Sequence, residues 1–251
     1  KMNYDKLAFD IDRWLKDYYY MYAIKAFVVG VSGGIDSAVV STLCAKTELP
    51  TYVLTMPLHS KEDNTELSDL HAYQLVEKYS NVTLVNVDLS DTYDVFMTRV
   101  DDTFCRSDLA NANTKSRLRM VTLYQIAGSV GGIVVGTGNK VEDYGVGFFT
   151  KYGDGGVDIA PIADIYKTQV WELGRHLGVD ERIINATPTD GLWEDGRTDE
   201  GQLGASYEQL EEAMEHGTGP ALDILQEYNT KNKHKMEPIP TFKLEKHYAN
   251  S

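Results

Sequence analysis

A glycine-rich turn near the start of the chain restricts the possible fold more than any other segment. It reads Gly30-Val31-Ser32-Gly33-Gly34-Ile35-Asp36-Ser37, and it stands between the apolar residues 26–29 and a helix-like stretch over residues 37–44. Adjacent glycines let the backbone turn sharply and approach a ligand closely, and the first N–H groups of a helix have no partner within it. The segment therefore predicts a strand, a tight turn and a helix start that together hold a phosphate.

Polar residues within the turn extend this prediction. Ser32 and Ser37 add hydroxyl donors, and Asp36 supplies a carboxylate of the kind that binds the magnesium ion of a nucleotide triphosphate. The spacing matches neither the phosphate loop that ends in Gly-Lys-Ser/Thr nor the Gly-x-Gly-x-x-Gly turn of dinucleotide folds. It resembles the Ser-Gly-Gly-x-Asp-Ser signature of the ATP pyrophosphatases, which split ATP to AMP and pyrophosphate while adenylating an acceptor. A turn whose glycines serve only backbone geometry is the alternative.

Composition argues against several classes of function. The 251 residues include 24 basic and 38 acidic ones, and the net charge of -14 disfavours nucleic acids and anionic membranes as partners. The sequence contains no run of about 18 apolar residues, which is the length needed to span a bilayer. Cys44 and Cys105 are too few for a disulfide framework or a cysteine zinc site, so we expect buried or free thiols in a reducing compartment. These features favour a cytoplasmic protein, and the absence of a linker or repeat favours one domain over residues 1–251.

Short apolar segments alternate with helical patterns along the first half of the chain. The expected strands are residues 27–31, 52–56, 82–87 and 133–135, with helices near residues 37–47, 64–79 and 111–129. Strands without polar alternation are buried on both faces, so the sequence predicts an α/β fold, a doubly wound parallel sheet with helices on both faces. Loops after such strands meet at one edge of the sheet, so the glycine turn and residues 56–59 and 136–140 are expected to form one pocket.

Further helical patterns lie at the two ends of the chain. A first helix that ends near Ile24 is predicted by a spacing of three and four residues between Leu7, Ile11, Trp14, Leu15, Tyr18 and Tyr22. We expect its aromatic face to pack on the domain or on a second subunit. Another helix is predicted over residues 164–177, followed by helices near residues 206–216 and 219–229 and an irregular tail.

The second half of the chain contains three polar runs, residues 136–143, 147–158 and 161–168, with residues 113–120 upstream and residues 187–192 and 234–235 downstream. Together these runs resemble the NAD synthetases, a family of carbon–nitrogen ligases within the ATP pyrophosphatase superfamily. The likeness begins at about residue 25 and keeps the family order. It implies the adenine nucleotide alpha hydrolase-like fold. It also implies amidation of nicotinic acid adenine dinucleotide (deamido-NAD) by ammonia, with ATP and through an acyl-adenylate, to give NAD, AMP and pyrophosphate.

The resemblance also implies roles for individual residues. The ATP-phosphate site corresponds to Gly30, Val31, Ser32, Gly33, Gly34, Ile35, Asp36 and Ser37, with Thr137, Lys167 and Thr189 as further ATP contacts. The contacts to deamido-NAD correspond to Arg117, Lys151, Asp158, His234 and Lys235. The magnesium ligands correspond to Asp36 and Glu142, and a spacing one residue longer than in some bacterial members leaves Asp143 as an alternative. Each charged side chain also has the plainer interpretation of a solvated surface group, above all the pair His234 and Lys235.

The proposed chemistry points to two catalytic residues. A carboxylate becomes an amide only after activation, because hydroxide is a poor leaving group. Adenylation needs no protein nucleophile, so catalysis is expected to rest on alignment and charge neutralisation. Lys167 is a candidate catalytic residue because it supplies positive charge in an acidic chain, and Asp154 is a candidate for holding ammonium or accepting its proton.

The nitrogen donor and the subunit arrangement follow from the resemblance alone. Free ammonia is the expected donor, because glutamine-using relatives carry an additional glutaminase domain for which this chain has no room. Delivery of ammonia by a separate partner chain is the alternative. A homodimer is also expected, with the first helix and the helix near residues 111–129 as contact surfaces.

Two other functions remain open on the sequence. A different ATP pyrophosphatase, such as the synthetase part of a GMP synthetase or a tRNA-thiolating enzyme, would share the glycine turn, although the acidic charge and the absence of a catalytic cysteine pattern disfavour tRNA thiolation. A nucleotide-binding sensor would hold ATP without cleaving it, and Arg117, Lys151 and Asp158 would then be unrelated surface residues. Residues 58–66 and 190–204 are candidates for mobile covers over the site.

Overall fold

The computed structural model describes residues 1–100 and 107–244, and a parallel sheet forms its centre. The strands are β1 (Phe27–Gly30), β2 (Thr51–Thr55), β3 (Val82–Asn86) and β4 (Ile133–Val134), and their order across the sheet is β3-β2-β1-β4. Phe27 pairs with Thr51 on one side and with Ile133 on the other, and all pairings are parallel. The four predicted strands are confirmed, each to within one residue at either end.

Helices connect and flank these strands. They are α1 (Tyr4–Met21), α2 (Ile35–Lys46), α3 (Glu62–Lys78), α4 (Ser90–Arg99), α5 (Asp108–Val130), α6 (Lys167–His176), α7 (Glu181–Ile184), α8 (Asp199–Leu203), α9 (Tyr207–His216) and α10 (Leu222–Met236). A π-helix, Val141–Val146, lies between β4 and α6. Within the described parts of the chain, none of the helices is both long and apolar enough to cross a membrane.

Successive residues of β1 face opposite sides of the sheet. Phe27 and Val29 join the larger core with Leu15 of α1 and with residues of α2 and α6. Val28 joins a second core with Ala127 of α5. All five side chains are almost completely buried. Burial on both faces is the reason that β1 carries no polar alternation, and helices on both faces of the sheet confirm the doubly wound α/β fold.

The carboxyl-terminal helices pack around the π-helix. Tyr207 and Leu210 of α9 are fully buried in this third cluster. Asn232 Nδ2–H donates to Val146 O at 2.8 Å, which attaches α10 to the end of the π-helix. With this support α10 continues to Met236, beyond its predicted end near residue 229. The prediction of an irregular tail directly after residue 229 was therefore wrong.

Other segments also differ from the prediction. The helix expected from residue 164 begins at Lys167, and the short helices α4, α7 and α8 were not predicted. Cys44 is buried and free, and burial raises the pKa of its thiol, which makes it a poor nucleophile. Cys105 lies outside the described residues.

Candidate active site

A cavity opens at the carboxyl edge of the sheet, where the loops after β1, β2 and β4 meet. Its lining includes all of residues 30–37, Met56 and Pro57 after β2, and residues 136–138 after β4. Residues 186–192, from the loop before α8, line it as well. The predicted convergence of three loops on one pocket is confirmed.

Hydrogen bonds within the glycine turn fix its shape. Ser32 N–H donates to Ser37 Oγ at 3.0 Å, and the Ser37 hydroxyl donates to Gly34 O at 3.2 Å. Gly33 has a φ of +87°, and a Cβ at this position would lie 2.8 Å from Asn64 O, so the turn requires glycine here. No side chain in the described part of the chain caps the start of α2. The N–H groups at this helix start are therefore suited to binding an anion.

The side chain of Lys167 lies between two carboxylates beside the turn. Its ammonium donates to Asp36 Oδ2 and lies 3.6 Å from Glu142 Oε1. Asn139 Nδ2–H donates to the other oxygen of Asp36 at 3.3 Å. Burial alone would lower the pKa of Lys167, but the charges of Asp36 and Glu142 together outweigh burial and raise it. The cavity wall therefore carries a fixed positive charge next to the phosphate turn.

The carboxylate of Glu142 is held by a tyrosine from α9. Tyr207 OH donates to Glu142 Oε1 at 2.8 Å and lies 3.3 Å from Asp199 Oδ2. Burial raises the pKa of Glu142 to about 8, because the attraction of Lys167 offsets desolvation only in part and Asp36 and Asp199 add repulsion. Burial also raises the pKa of Asp199 to about 6. Asp36, Glu142 and Asp199 thus share one ammonium, and a bound cation would favour the ionised form of Glu142.

Asp143 is a fourth carboxylate on the cavity wall. It lies so close to the backbone of Gly138 that a Cβ there would clash with its oxygens. Burial raises the pKa of Asp143 to about 7, and repulsion from Asp154 and Asp36 acts in the same direction. The structure thus places the alternative metal ligand in the same cavity as Glu142.

Asp154 also lines the cavity, where it is anchored by the loop that contains it and by α5. Its Oδ1 accepts from Thr150 N–H at 2.7 Å and from the Ser116 hydroxyl at 3.1 Å. Asp154 N–H donates back to Ser116 Oγ at 3.0 Å. Desolvation by the surrounding protein raises the pKa of this carboxylate, and the hydrogen bonds lower it by less. The residue itself is open to the cavity. Its orientation is therefore fixed before any substrate binds.

Four of the five residues predicted to contact deamido-NAD form one cluster on the surface. Arg117 Nε–H donates to Lys151 O at 3.2 Å, and Lys151 Nζ donates to His234 O at 3.1 Å. Lys235 Nζ donates to Phe149 O at 2.6 Å. Because α10 extends to residue 236, His234 and Lys235 are held in its last turn. The cluster brings together residues separated by more than 80 positions, although none of the four lines the main cavity.

Asp158, the fifth of these residues, is bound to other elements. Its Oδ1 accepts from Tyr124 OH of α5 at 3.0 Å, and its Oδ2 accepts from Val134 N–H of β4 at 2.8 Å. In this structure Asp158 links a helix to the edge of the sheet.

The predicted ATP contacts Thr137 and Thr189 both line the cavity. Thr189 Oγ accepts from Gly191 N–H at 3.2 Å and donates to Arg197 O at 3.1 Å, which shapes the loop before α8. The proposed covers, residues 58–66 and 190–204, contain the start of α3 and the helix α8. Their motion stays a prediction.

Sequence reasoning missed several residues of the cavity. Arg119 lines it and donates from Nε–H to Met56 O at 3.1 Å, and burial lowers its pKa against the attraction of Asp154. Asp199, which also lines the cavity, was missed, as was the buried Tyr207 that donates to Glu142. Arg119 lies only two residues from the predicted Arg117, and the helical spacing within residues 113–120 is a signal that could have indicated it.

The carboxylates of the cavity suit a magnesium ion that is also bound by phosphate and water better than a metal ion whose ligands all come from the protein. Among residues 1–100 and 107–244, no group of three or more His, Cys, Asp or Glu side chains is placed to hold a metal ion. Magnesium usually takes only one or two protein carboxylates and completes its coordination with phosphate oxygens and water. Asp36 and Glu142, which share the ammonium of Lys167, meet that requirement.

The fold and the site together define a class of protein. An open parallel sheet, with helices on both faces and a phosphate turn after β1, is typical of nucleotide-binding α/β proteins. A family model described as NAD synthase matches residues 7–247. The chain belongs to the NAD synthase family.

Individual relatives agree with this assignment. An NH(3)-dependent NAD(+) synthetase from Finegoldia magna is 35% identical over 98% of this chain and 99% of its own length. A protein of the same name from Methanococcoides burtonii is 41% identical over 76% of this chain and 72% of its own length. Among solved structures, an NMN synthetase from Francisella tularensis has a TM-score of 0.90 at 31% identity, with 97% of this chain and all of that chain covered.

Proposed function

We propose that the chain catalyses the ATP-dependent amidation of deamido-NAD by ammonia, giving NAD, AMP and pyrophosphate. The observation that carries the proposal is the arrangement of one cavity, in a member of the NAD synthase family. The phosphate turn and Lys167 lie on its wall together with Asp154, so a triphosphate and a carboxylate acceptor can meet there.

The first step activates the carboxylate. A carboxylate oxygen of the nicotinate ring attacks the α-phosphorus of ATP, the bond from that phosphorus to the bridging oxygen of the β-phosphate breaks, and pyrophosphate leaves with the electron pair. The N–H groups at the start of α2 and the ammonium of Lys167 stabilise the negative charge that develops on the phosphates. No protein nucleophile takes part, so the residues act by alignment.

Magnesium is the proposed companion of ATP, with Asp36 and Glu142 as its ligands and Asp143 as the alternative. When bound, the ion would neutralise charge on the triphosphate and on the departing pyrophosphate. The excess of carboxylates around Lys167 supports this assignment, since the repulsion among them is relieved by an added cation.

The second step consumes ammonia. Ammonia attacks the carbonyl carbon of the acyl-adenylate, the bond from that carbon to the phosphate oxygen breaks, AMP leaves with the electron pair, and the new amide nitrogen releases one proton to solvent. Ammonium must first lose a proton, and we assign its binding or deprotonation to Asp154, whose carboxylate is fixed at the cavity wall by Thr150 and Ser116.

The surface cluster of Arg117, Lys151, His234 and Lys235 is proposed to bind deamido-NAD, with Asp158 as a further contact. Arg117, Lys151 and Lys235 bring three cationic side chains together in an acidic chain, an arrangement suited to a pyrophosphate group. Thr137 and Thr189 are assigned to ATP on the cavity side.

A homodimer is proposed in addition. Trp14 on α1, Tyr22 directly after that helix and Val121 on α5 are 44%, 58% and 56% exposed, which are large exposed fractions for apolar side chains of this size. Light scattering should give twice the mass of one chain. Trp14→Arg and Val121→Arg, made separately, identify the helix in the contact, and a wild-type mass equal to one chain contradicts the proposal. A cytoplasmic location and a single domain also stay proposals.

A second candidate is the amidation of the mononucleotide rather than the dinucleotide. It is favoured by one observation, the TM-score of 0.90 to a structure described as an NMN synthetase. The two candidates share every chemical step and differ only in whether an adenylate half is bound. Comparison of kcat/KM for deamido-NAD and nicotinate mononucleotide decides between them, and we expect the higher value for deamido-NAD.

A coupled assay tests the function itself. NAD formation is measured with ATP, magnesium, ammonium and deamido-NAD, and each is omitted in turn. Every omission should abolish the product. Calorimetry with xanthosine monophosphate provides a control, because binding of that nucleotide would instead support a GMP synthetase.

A further inference from the structure

Glu142 lies on an irregular piece of backbone. It is the second residue of the π-helix, a geometry that is rare and is often found at functional sites. Its side chain is 15% exposed at the cavity. A carboxylate in such a position needs a partner from another element to fix its orientation.

Tyr207 is that partner, and it cannot itself move easily. The residue is fully buried, and its ring meets Trp171 edge-on with centroids 6.0 Å apart. The ammonium of Lys167 lies 5.0 Å from the centre of the same ring. Tyr207 thus contacts both charged groups of the cluster, the carboxylate through its hydroxyl and the ammonium through its ring.

The hydroxyl of Tyr207 faces two carboxylates, and it donates to both. Of its two acceptors, Glu142 is the nearer at 2.8 Å, and Asp199 lies on the other side at 3.3 Å. Asp199 is 5% exposed, and its Oδ1 has no hydrogen-bond partner within the described chain, which is a costly arrangement that folding alone does not explain.

We infer that Tyr207 is a positioning residue that orients Glu142 for the divalent cation carried by ATP, with Asp199 as the second carboxylate in contact with the same hydroxyl. This inference rests on the proposed function, because it assumes that Glu142 binds magnesium. Groups that orient a metal ligand through a hydrogen bond commonly change metal affinity or activity by about 10- to 100-fold when they are removed.

Tyr207→Phe tests the inference because it removes the hydroxyl and keeps the ring. Tyr228→Phe is the matched control: Tyr228 packs on the same apolar cluster, and its hydroxyl donates to a backbone carbonyl, Gln202 O, at 3.0 Å. The affinity for Mn2+ in the presence of ATP, without deamido-NAD, is measured by electron paramagnetic resonance. We expect a weakening of about tenfold or more for Tyr207→Phe and less than about twofold for Tyr228→Phe.

A double-mutant cycle with Glu142→Gln shows whether the effect passes through Glu142. The loss of kcat caused by Tyr207→Phe should shrink to less than about twofold in the Glu142→Gln background. Equal losses in both backgrounds, or unchanged Mn2+ affinity in a Tyr207→Phe protein that still unfolds cooperatively, would overturn the inference. A wild-type protein that makes no NAD would instead refute the proposed function.

Discussion

Replacement of Gly33 by alanine tests the phosphate turn most sharply, because the structure gives two separate costs for it. At a φ of +87°, any residue with a Cβ is strained by about 1–2 kcal/mol. The added Cβ would also lie 2.8 Å from Asn64 O, whereas ordinary contacts of a Cβ begin at 3.4 Å. The turn and α3 must therefore separate by about 0.6 Å. Misplacement on this scale in a phosphate site is expected to weaken ATP binding by about tenfold or more.

Gly178→Ala separates the two costs. Gly178 has a φ of +76°, but no atom of the described chain lies within 4 Å of the position that the added methyl group would take, and the residue does not line the cavity. Urea unfolding should show a loss of about 1–2 kcal/mol for Gly178→Ala, from backbone strain alone, and a larger loss for Gly33→Ala, which also carries the clash with Asn64 O. Calorimetric titration with ATP and magnesium should show weakened binding for Gly33→Ala alone. Wild-type ATP affinity in Gly33→Ala would refute the assignment of the turn.

Three further predictions concern charged groups. Burial lowers the pKa of His71, whose Nε2 lies 2.9 Å from Ser41 Oγ, to about 4. Because the pKa of His71 in the folded state is below the unfolded value of 6.5, its contribution to stability is fully present above pH 6.5. As the pH falls towards 4, the free energy of unfolding decreases by up to about 3 kcal/mol. His71→Gln should flatten this dependence in denaturant titrations, and an unchanged slope contradicts the reasoning. Asp154→Asn should lower turnover by about 100-fold or more and alter its dependence on ammonium, whereas unchanged kinetics would remove its role. Lys167→Met leaves Asp36 and Glu142 without their cation, so thermal unfolding should reveal a loss of about 3–5 kcal/mol that magnesium partly restores. An unaltered unfolding temperature would show that the ion pairs do not stabilise the fold.

The sheet and the phosphate turn could be predicted because their signals are local. The first strand is a short apolar run buried on both faces, and the glycines at positions 33 and 34 mark the turn that follows it. The edge of the sheet at which the loops meet follows from parallel topology alone. The family resemblance added the roles of residues that no local pattern distinguishes, such as Lys151.

The remainder of the site depends on contacts between distant parts of the sequence. Tyr207 meets Glu142 across 65 residues, and in the sequence it looks like an ordinary apolar position of α9. The full length of α10 depends on Asn232, which binds a carbonyl 86 residues away. Helix α4 buries no side chain, so no apolar stripe indicated it. Propensity and periodicity carry no information on such pairings.

Product analysis is the most direct test of the central claim, that the cavity aligns ATP for attack at its innermost phosphorus. The purified protein is supplied with ATP, magnesium, ammonium and deamido-NAD, and the nucleotides and phosphates are quantified together. The account predicts NAD, AMP and pyrophosphate in equal amounts. Release of ADP and orthophosphate would contradict it.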